Sequence, residues 1–144
     1  MLIGEYRHTI DTKNRVALPA KFRKEIGRKI VVTRGLDNCL LIYTLKKWQQ
    51  VAEDLAAPTI GSADVRNFNR YLLGGAVEVD VDSIGRVLLP EFLRQYAGLK
   101  TKVVIAGLHS RVEIWAEDKW NEITGKIEKE AENLAEKLGQ IGMI

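Results

Sequence analysis

The sequence has little of the chemistry that enzymes and membrane proteins use. It contains one cysteine and two histidines, so it has neither an internal disulfide nor the paired cysteines of a zinc or redox site. A lone Cys39 favours a reducing compartment. No apolar run approaches the roughly 20 residues that cross a bilayer, and no signal-peptide pattern opens the chain. These absences predict a cytoplasmic protein.

Motifs for catalysis are also missing. No glycine-rich phosphate loop follows a predicted strand, and no nucleophile elbow is present. His8 and His109 have no partners at metal-ligand spacing. His8 alternates with Tyr6 and Ile10 and is expected to line one face of a strand, and Cys39 lies in an apolar strand and is expected in the core. We therefore predict no catalytic residue, no cofactor, no metal and no small-molecule substrate.

What the sequence does contain is an internal repeat. Residues 11–23 have the sequence DTKNRVALPAKFR, and residues 82–94 have DSIGRVLLPEFLR. Asp, Arg, Val, Leu, Pro and the final Arg recur at a fixed offset. A repeat of this kind indicates one structural unit used twice, with each copy presenting the same surface.

The repeat extends on both sides of these blocks. Alternating apolar residues predict a strand before each block and two strands after it. A proline begins a short helix in each copy and a glycine ends it, as is typical of helix termini. We align residues 103–108 with 31–36, which requires a single inserted residue in the preceding loop. Each copy is thus predicted to be β-β-α-β-β with a further helix after it. The two short helices are expected to begin at Pro19 and Pro90 and to end at Gly27 and Gly98.

A unit of this size is too small to bury an adequate core alone. We expect the two copies to pair about a pseudo-twofold axis as one interlocked domain of the α+β class, with a mainly β core and peripheral helices. The predicted boundaries are 5–48 for the first repeat, 49–75 for a helical connector, 76–120 for the second repeat and 121–144 for a C-terminal helix and tail.

Two details of the helices follow from the same pattern. The connector is expected to break at Pro58 and Gly61. The C-terminal helix carries an apolar stripe that should pack on the body of the protein or on a neighbouring subunit: Trp120, Ile123, Ile127, Leu134 and Leu138.

Charge is unevenly distributed although the net charge is only +3. Residues 7–34 hold nine cationic and two acidic side chains, a net +7, whereas residues 113–137 hold four cationic and eight acidic side chains, a net −4. This asymmetry favours a basic face for an anionic partner and an acidic face turned away from it. Two solvated surfaces would explain it equally well.

The repeated Asp-x-x-x-Arg segment has the composition of a hairpin turn. Its fourth residue is Asn14 in one copy and Gly85 in the other, the residue types that best tolerate positive φ. Aspartate at the opening accepts hydrogen bonds from the N–H groups of the turn. A purely structural interpretation is complete at this point, because the arginine can return to pair with the aspartate.

A functional interpretation adds one step. An arginine held by aspartate on a projecting turn can bind guanine O6 and N7 or a phosphate. Lysines and an arginine near the first turn would attract phosphates without sequence preference: Lys13, Lys21, Arg23 and Lys24. The second turn has Ser83 and Ile84 at its tip, and Glu91 replaces Ala20 on its helix. If both turns contact nucleic acid, we expect the first to contribute more.

The chain resembles the MraZ family, bacterial proteins built from two tandem SpoVT-AbrB domains. The resemblance covers nearly the full length and rests on the opening Gly4-Glu5-Tyr6, the two Asp-x-x-x-Arg turns and the proline-led helices. It implies an AbrB-like swapped-hairpin β-barrel without cofactor or metal. The family's DNA-contacting residues fall on Asp11, Lys13 and Arg15, and on Asp82 and Arg86 in the second turn.

The resemblance also implies a function. The family regulates transcription, usually as a repressor, at the promoter of the division and cell-wall gene cluster. It binds G-rich direct repeats in double-stranded DNA as a ring-shaped homo-oligomer, in the cytoplasm and nucleoid. The alternative is an interaction or scaffold protein that grips a protein partner, as AbrB-like antitoxins grip toxins. Steep loss of duplex binding with salt would favour the regulator.

Overall fold

The computed structural model describes residues 1–57 and 62–144, and within them the predicted order of elements is confirmed. The predicted break at Pro58 and Gly61 lies outside the described residues. A single 3-10 turn, Ala20–Phe22, leads into α1. The elements are β1 Leu2–Thr9, β2 Arg15–Ala17, α1 Arg23–Ile26, β3 Lys29–Arg34, β4 Leu40–Thr44, α2 Leu45–Ala56, α3 Ala63–Leu72, β5 Val77–Asp80, β6 Arg86–Leu88, α4 Glu91–Ala97, β7 Lys102–His109, β8 Val112–Ala116 and α5 Glu117–Gln140.

Six of the strands form one antiparallel sheet in the order β1-β7-β8-β4-β3-β5. The first strand of each copy pairs with the third strand of the other copy, β1 with β7 and β5 with β3. The order is the same from either edge once equivalent strands are exchanged, so a pseudo-twofold axis passes between β4 and β8. The fold is α+β, and the two copies interlock as expected.

The remaining two strands, β2 and β6, form a short antiparallel ribbon. Val16 pairs with Val87 at its centre, and both side chains are buried. The ribbon is extended at both ends. The N–H of Leu18 donates to the carbonyl of Gly85 at 2.9 Å, and the N–H of Leu89 donates to that of Asn14 at 3.0 Å. Each turn is therefore hydrogen-bonded to the residue that follows the ribbon strand of the other copy.

The main core lies between this ribbon, the short helices and one face of the sheet. Apolar side chains alternate along the strands so that one set points inward. Burial of these side chains at about 25 cal/mol per Å² is the main stabilising contribution. Both copies supply matching positions: Val16, Leu18, Phe22, Ile30, Val32, Leu40 and Ile42 from the first, and Val87, Leu89, Leu93, Val103, Ile105, Val112 and Ile114 from the second.

The strand pairing corrects the alignment of β3 with β7. Ile30 pairs with Val79, and Val103 pairs with His8. His8 and Val79 are equivalent in the repeat, so Val103 matches Ile30 and not Val31. The loop before β7 is thus two residues longer than its counterpart, and the β7–β8 hairpin is one residue shorter. The predicted single insertion, which aligned Val103 with Val31, was therefore wrong. It shifted β7 by one residue, and such a shift exchanges the two faces of a strand.

The opposite face of the sheet is covered by α2, α3 and the start of α5. Trp48, Tyr71 and Trp120 pack there around a second buried cluster. The side chains of residues 125–144 are all exposed. The apolar stripe of α5 therefore divides: Trp120 and Ile123 pack on the body, and Ile127, Leu134 and Leu138 remain exposed.

Candidate nucleic-acid interface

The first Asp-x-x-x-Arg segment folds as an aspartate-capped turn. Oδ1 of Asp11 accepts from the backbone N–H of Lys13 at 2.9 Å and of Arg15 at 3.0 Å. Oδ2 accepts from Nε of Arg15 at 2.9 Å. Asn14 has φ +61°, the left-handed conformation that the sequence predicted. One carboxylate thus shapes the turn and fixes the guanidinium.

The second turn repeats this arrangement bond for bond. Oδ1 of Asp82 accepts from the N–H of Ile84 at 3.1 Å and of Arg86 at 2.8 Å. Oδ2 accepts from Nε of Arg86 at 2.7 Å. Gly85, with φ +86°, takes the place of Asn14. The repeat in sequence is therefore a repeat in detailed geometry.

Both aspartates are stabilised in their charged form. The pKa of Asp11 is lowered mainly by the hydrogen bond from the Arg15 backbone N–H, with partial desolvation acting in the opposite direction. The pKa of Asp82 is lowered in the same way by the Arg86 backbone N–H. Ionised carboxylates are the stronger acceptors for a guanidinium, so both arginines are held at neutral pH.

The two arginines lie on one face of the ribbon. In an antiparallel pair, directly opposed residues share a face and alternate residues return to it. Arg15 opposes Leu88, and Ala17 opposes Arg86, so Arg15 and Arg86 are diagonal neighbours with Cα atoms about 7–8 Å apart. Val16 and Val87 point to the other face and into the core. The arginine side chains are 28% and 31% exposed, so neither is tucked beneath the sheet.

The other predicted site residues surround this ribbon in different ways. Lys13 is exposed at the tip of the first turn, and Lys21 and Lys24 are exposed on the helical segment that follows β2. Arg23 is exposed but also structural, because its Nε donates to the carbonyl of Leu18 at 3.3 Å. Arg94 repeats that contact on Leu89 at 3.0 Å.

One further basic residue, which is not among the predicted site residues, lies beside the turns. Arg28 lines a cleft beside the second turn together with Arg23. It belongs to the first copy, and it reaches the second turn only because β5 pairs with β3. The local sequence around Arg28 carries no signal of this neighbour.

The cysteine and the two histidines, which are the residue types considered for catalysis or metal binding, lie in the core, on a strand and in a hairpin turn. Burial, followed by the charge of Glu113, raises the pKa of the Cys39 thiol to about 12, so it is a protonated core side chain at neutral pH. His8 lies on β1, and His109 has φ +70° at the β7–β8 hairpin. Among the residues that the structure describes, no three His, Cys, Asp or Glu side chains are grouped as a metal site would require. Within the same residues, no helix combines the length and apolarity that crossing a bilayer demands.

Comparison with known proteins connects this geometry to a family. The family model described as "MraZ protein, putative antitoxin-like" matches residues 1–70 and 72–140. A protein named transcriptional regulator MraZ in Acetivibrio thermocellus is 44% identical over 99% of this chain and 100% of its own length. Its namesake in Caldanaerobacter subterraneus is 46% identical over 96% of both chains, and that in Caldicellulosiruptor saccharolyticus is 45% identical over 99% and 100%.

Among solved structures, PHS018 from Pyrococcus horikoshii matches 79% of this chain and 88% of its own, at 15% identity and a TM-score of 0.34. That similarity is too low to bear on the fold. The family assignment rests instead on the full-length matches and on the two turns. The chain belongs to the MraZ family.

Proposed function

We propose that the protein is a sequence-specific DNA-binding transcriptional regulator. Its arginine-bearing ribbon recognises G-rich direct repeats in the promoter of the division and cell-wall gene cluster, and binding represses transcription. The protein acts in the cytoplasm, associated with the nucleoid. Support comes from relatives that are named transcriptional regulators and from the exposed face of the ribbon. The proposal assigns no catalytic residue, cofactor or small-molecule substrate.

One observation carries the proposal: each turn uses only Nε of its arginine to bind its aspartate. Within the described residues, the terminal nitrogens of Arg15 and Arg86 donate to no protein acceptor. Two parallel N–H groups of a guanidinium fit O6 and N7 of guanine. An aspartate-held arginine enters the groove already oriented, so less conformational entropy is lost on binding.

Lysines beside the ribbon supply affinity without sequence preference. Lys13, Lys21 and Lys24 are exposed, and the described residues place none of them in an ion pair. They are free to bind backbone phosphates and release counterions. Phosphate contacts position a protein on the duplex, and base contacts give it specificity.

A closed homo-oligomer would multiply these contacts. We propose that the repeats at 5–48 and 76–120 form an AbrB-like swapped-hairpin barrel and that several such chains assemble into a ring. Exposed Ile127, Leu134 and Leu138 on α5 provide apolar surface for a neighbouring chain. Subunits related by rotation present one contact at regular spacing, which suits direct repeats. Linked weak contacts raise avidity steeply.

The test is a fluorescence anisotropy titration of Arg15→Ala on repeat-containing and scrambled duplexes. Losing a bidentate guanine contact costs about 1–3 kcal/mol, so we expect a roughly 5- to 150-fold weaker Kd on the repeat duplex. Lys46→Ala, which removes an exposed cation on α2, is the matched control. Affinity and salt slope that match the wild type in Arg15→Ala would refute the proposal.

A second candidate is a protein-binding module, which the antitoxin-like description of the family model favours. In that case the turns would grip an acidic surface of another protein. Stoichiometric capture of one such partner, with duplex affinity insensitive to salt, would support this candidate against the regulator.

A further inference from the structure

A surface cleft of about 440 Å³ lies beside the second turn, and its two sides come from different copies of the repeat. Arg23 and Arg28 of the first copy form one side, and Ser83 and Gly85 of the second copy form the other. The N–H of Val81 donates to the carbonyl of Arg28 at 2.8 Å and holds the two sides together. The cleft is thus a product of the strand exchange.

Arg23 lies directly against the second turn. A Cβ at Gly85 would lie 2.6 Å from Cζ of Arg23, so the guanidinium occupies the space that a side chain would fill. Its Nε is held by the carbonyl of Leu18. The first copy's arginine therefore has a fixed position at the second copy's turn.

The cleft carries uncompensated positive charge. In the described part of the chain, neither Arg23 nor Arg28 forms an ion pair with a carboxylate. Asp82 also lines the cleft, but its charge is neutralised by Arg86 and by the N–H groups of the turn. Two guanidinium groups and the Ser83 hydroxyl remain as donors for an anion.

The equivalent position at the first turn has no such charge. There the N–H of Ile10 donates to the carbonyl of Thr101 at 2.8 Å. Thr101 therefore occupies at the first turn the position that Arg28 occupies at the second. Conversely, the first turn has Lys13 at its tip and the second has Ile84. Each turn thus has one additional cation, at the tip in the first copy and at the side in the second.

We propose that Arg23 and Arg28, with Ser83, bind a backbone phosphate of the DNA duplex next to the second turn. The proposal rests on the DNA-binding function proposed above. Guanidinium groups form short, charge-assisted hydrogen bonds with phosphate oxygens. The second turn then contacts DNA despite its uncharged tip, and the basic residues of one copy serve the turn of the other.

Arg28→Ala in the full-length protein tests this assignment. Titrations on repeat-containing and scrambled duplexes at several salt concentrations should show the same fold loss of affinity on both. The slope of log K against log salt should fall by about one for each engaged second turn. Lys46→Ala is again the control, and its slope should match the wild type.

Gly85→Asn provides a second variant that leaves both arginines in the sequence. Asn occupies the equivalent position of the first turn as Asn14 with positive φ, so the turn should keep its shape. The new side chain would displace the Arg23 guanidinium and should weaken binding to both duplexes. An unchanged circular dichroism melting curve would confirm that the fold is retained.

The outcomes separate this proposal from the function on which it rests. If the wild type prefers the repeat duplex, Arg15→Ala loses that preference and Arg28→Ala keeps the wild-type salt slope, the phosphate assignment is wrong and the regulator stands. If the wild type binds neither duplex, both are wrong.

Free phosphate is a second possible occupant of the cleft. NMR signals of the Arg28 Nε–H group should shift when duplex is added. A shift with inorganic phosphate but none with duplex would contradict the proposal.

Discussion

Asp11→Asn is the substitution that most sharply isolates the role of the aspartate. An amide keeps one oxygen to accept the backbone N–H groups of Lys13 and Arg15, now at 2.9 and 3.0 Å. In place of Oδ2 it puts an NH₂ donor against the Nε donor of Arg15. The turn should therefore survive, and the hold on the guanidinium should be lost.

The expected magnitude follows from the freedom that the arginine regains. Ordering a long side chain on binding costs about 0.5–1.5 kcal/mol, so each engaged first turn should bind the repeat duplex about 2- to 13-fold more weakly. On a scrambled duplex the same variant should bind at least as well as the wild type, because one negative charge has been removed. Sequence preference should fall while non-specific affinity does not.

Anisotropy titrations on both duplexes at one salt concentration measure this difference. Asp37→Asn, which removes the same charge from the exposed β3–β4 turn at φ +63°, is the control and should leave the preference unchanged. Wild-type affinity of Asp11→Asn for the repeat duplex, or equal losses on both duplexes, would show that the aspartate does not orient the arginine.

Three further predictions concern the turn, the thiol and the sheet. The pKa of Asp82 in the folded chain lies below the usual 3.8, so its stabilising contribution is present above pH 3.8 and is lost as the pH falls through the folded-state pKa. An NMR titration of the Asp82 carboxyl should show the lowered pKa. Arg86→Ala should raise that pKa only part of the way, because the backbone N–H of residue 86 still donates to the carboxylate. The Cys39 thiol, with its pKa near 12, should react with a thiol reagent at pH 8 only after denaturation, and rapid labelling of the native protein would contradict its burial. Gly107→Ala should destabilise the fold by about 1–3 kcal/mol in urea unfolding, because a Cβ would lie 2.7 Å from the Leu2 carbonyl carbon on β1; a wild-type midpoint would show that β1 and β7 do not approach so closely.

Local features of this chain could be predicted from sequence because their causes are local. The hydrogen bonds of the Asp11 carboxylate all join residues within Asp11–Arg15, so the residue types at those positions determine the shape of the turn. The glycines that end the short helices are predictable for the same reason, because each depends only on its own backbone conformation. Gly27 has φ +78° and Gly98 has φ +61°.

Features that depend on the exchange of strands could not be predicted in the same way. The register of β7 follows from its pairing with β1, which no local pattern encodes, and the alignment of β3 with β7 was accordingly wrong by one residue. The cleft between Arg23 and the second turn arises from the same exchange. The cations beside the second turn, Arg23 and Arg28, come from the other copy, so the sequence of the second copy alone does not reveal them.

The central claim is that the Arg15 guanidinium binds a guanine edge, and replacing guanine by 7-deazaguanine in the repeats tests it most directly. This change removes N7, one of the two acceptors, and leaves base pairing intact. We expect a loss of at least about fivefold for the wild type, near 1 kcal/mol, and no additional loss for Arg15→Ala. Equal losses for the wild type and Arg15→Ala would show that another group contacts the guanine and would contradict the account.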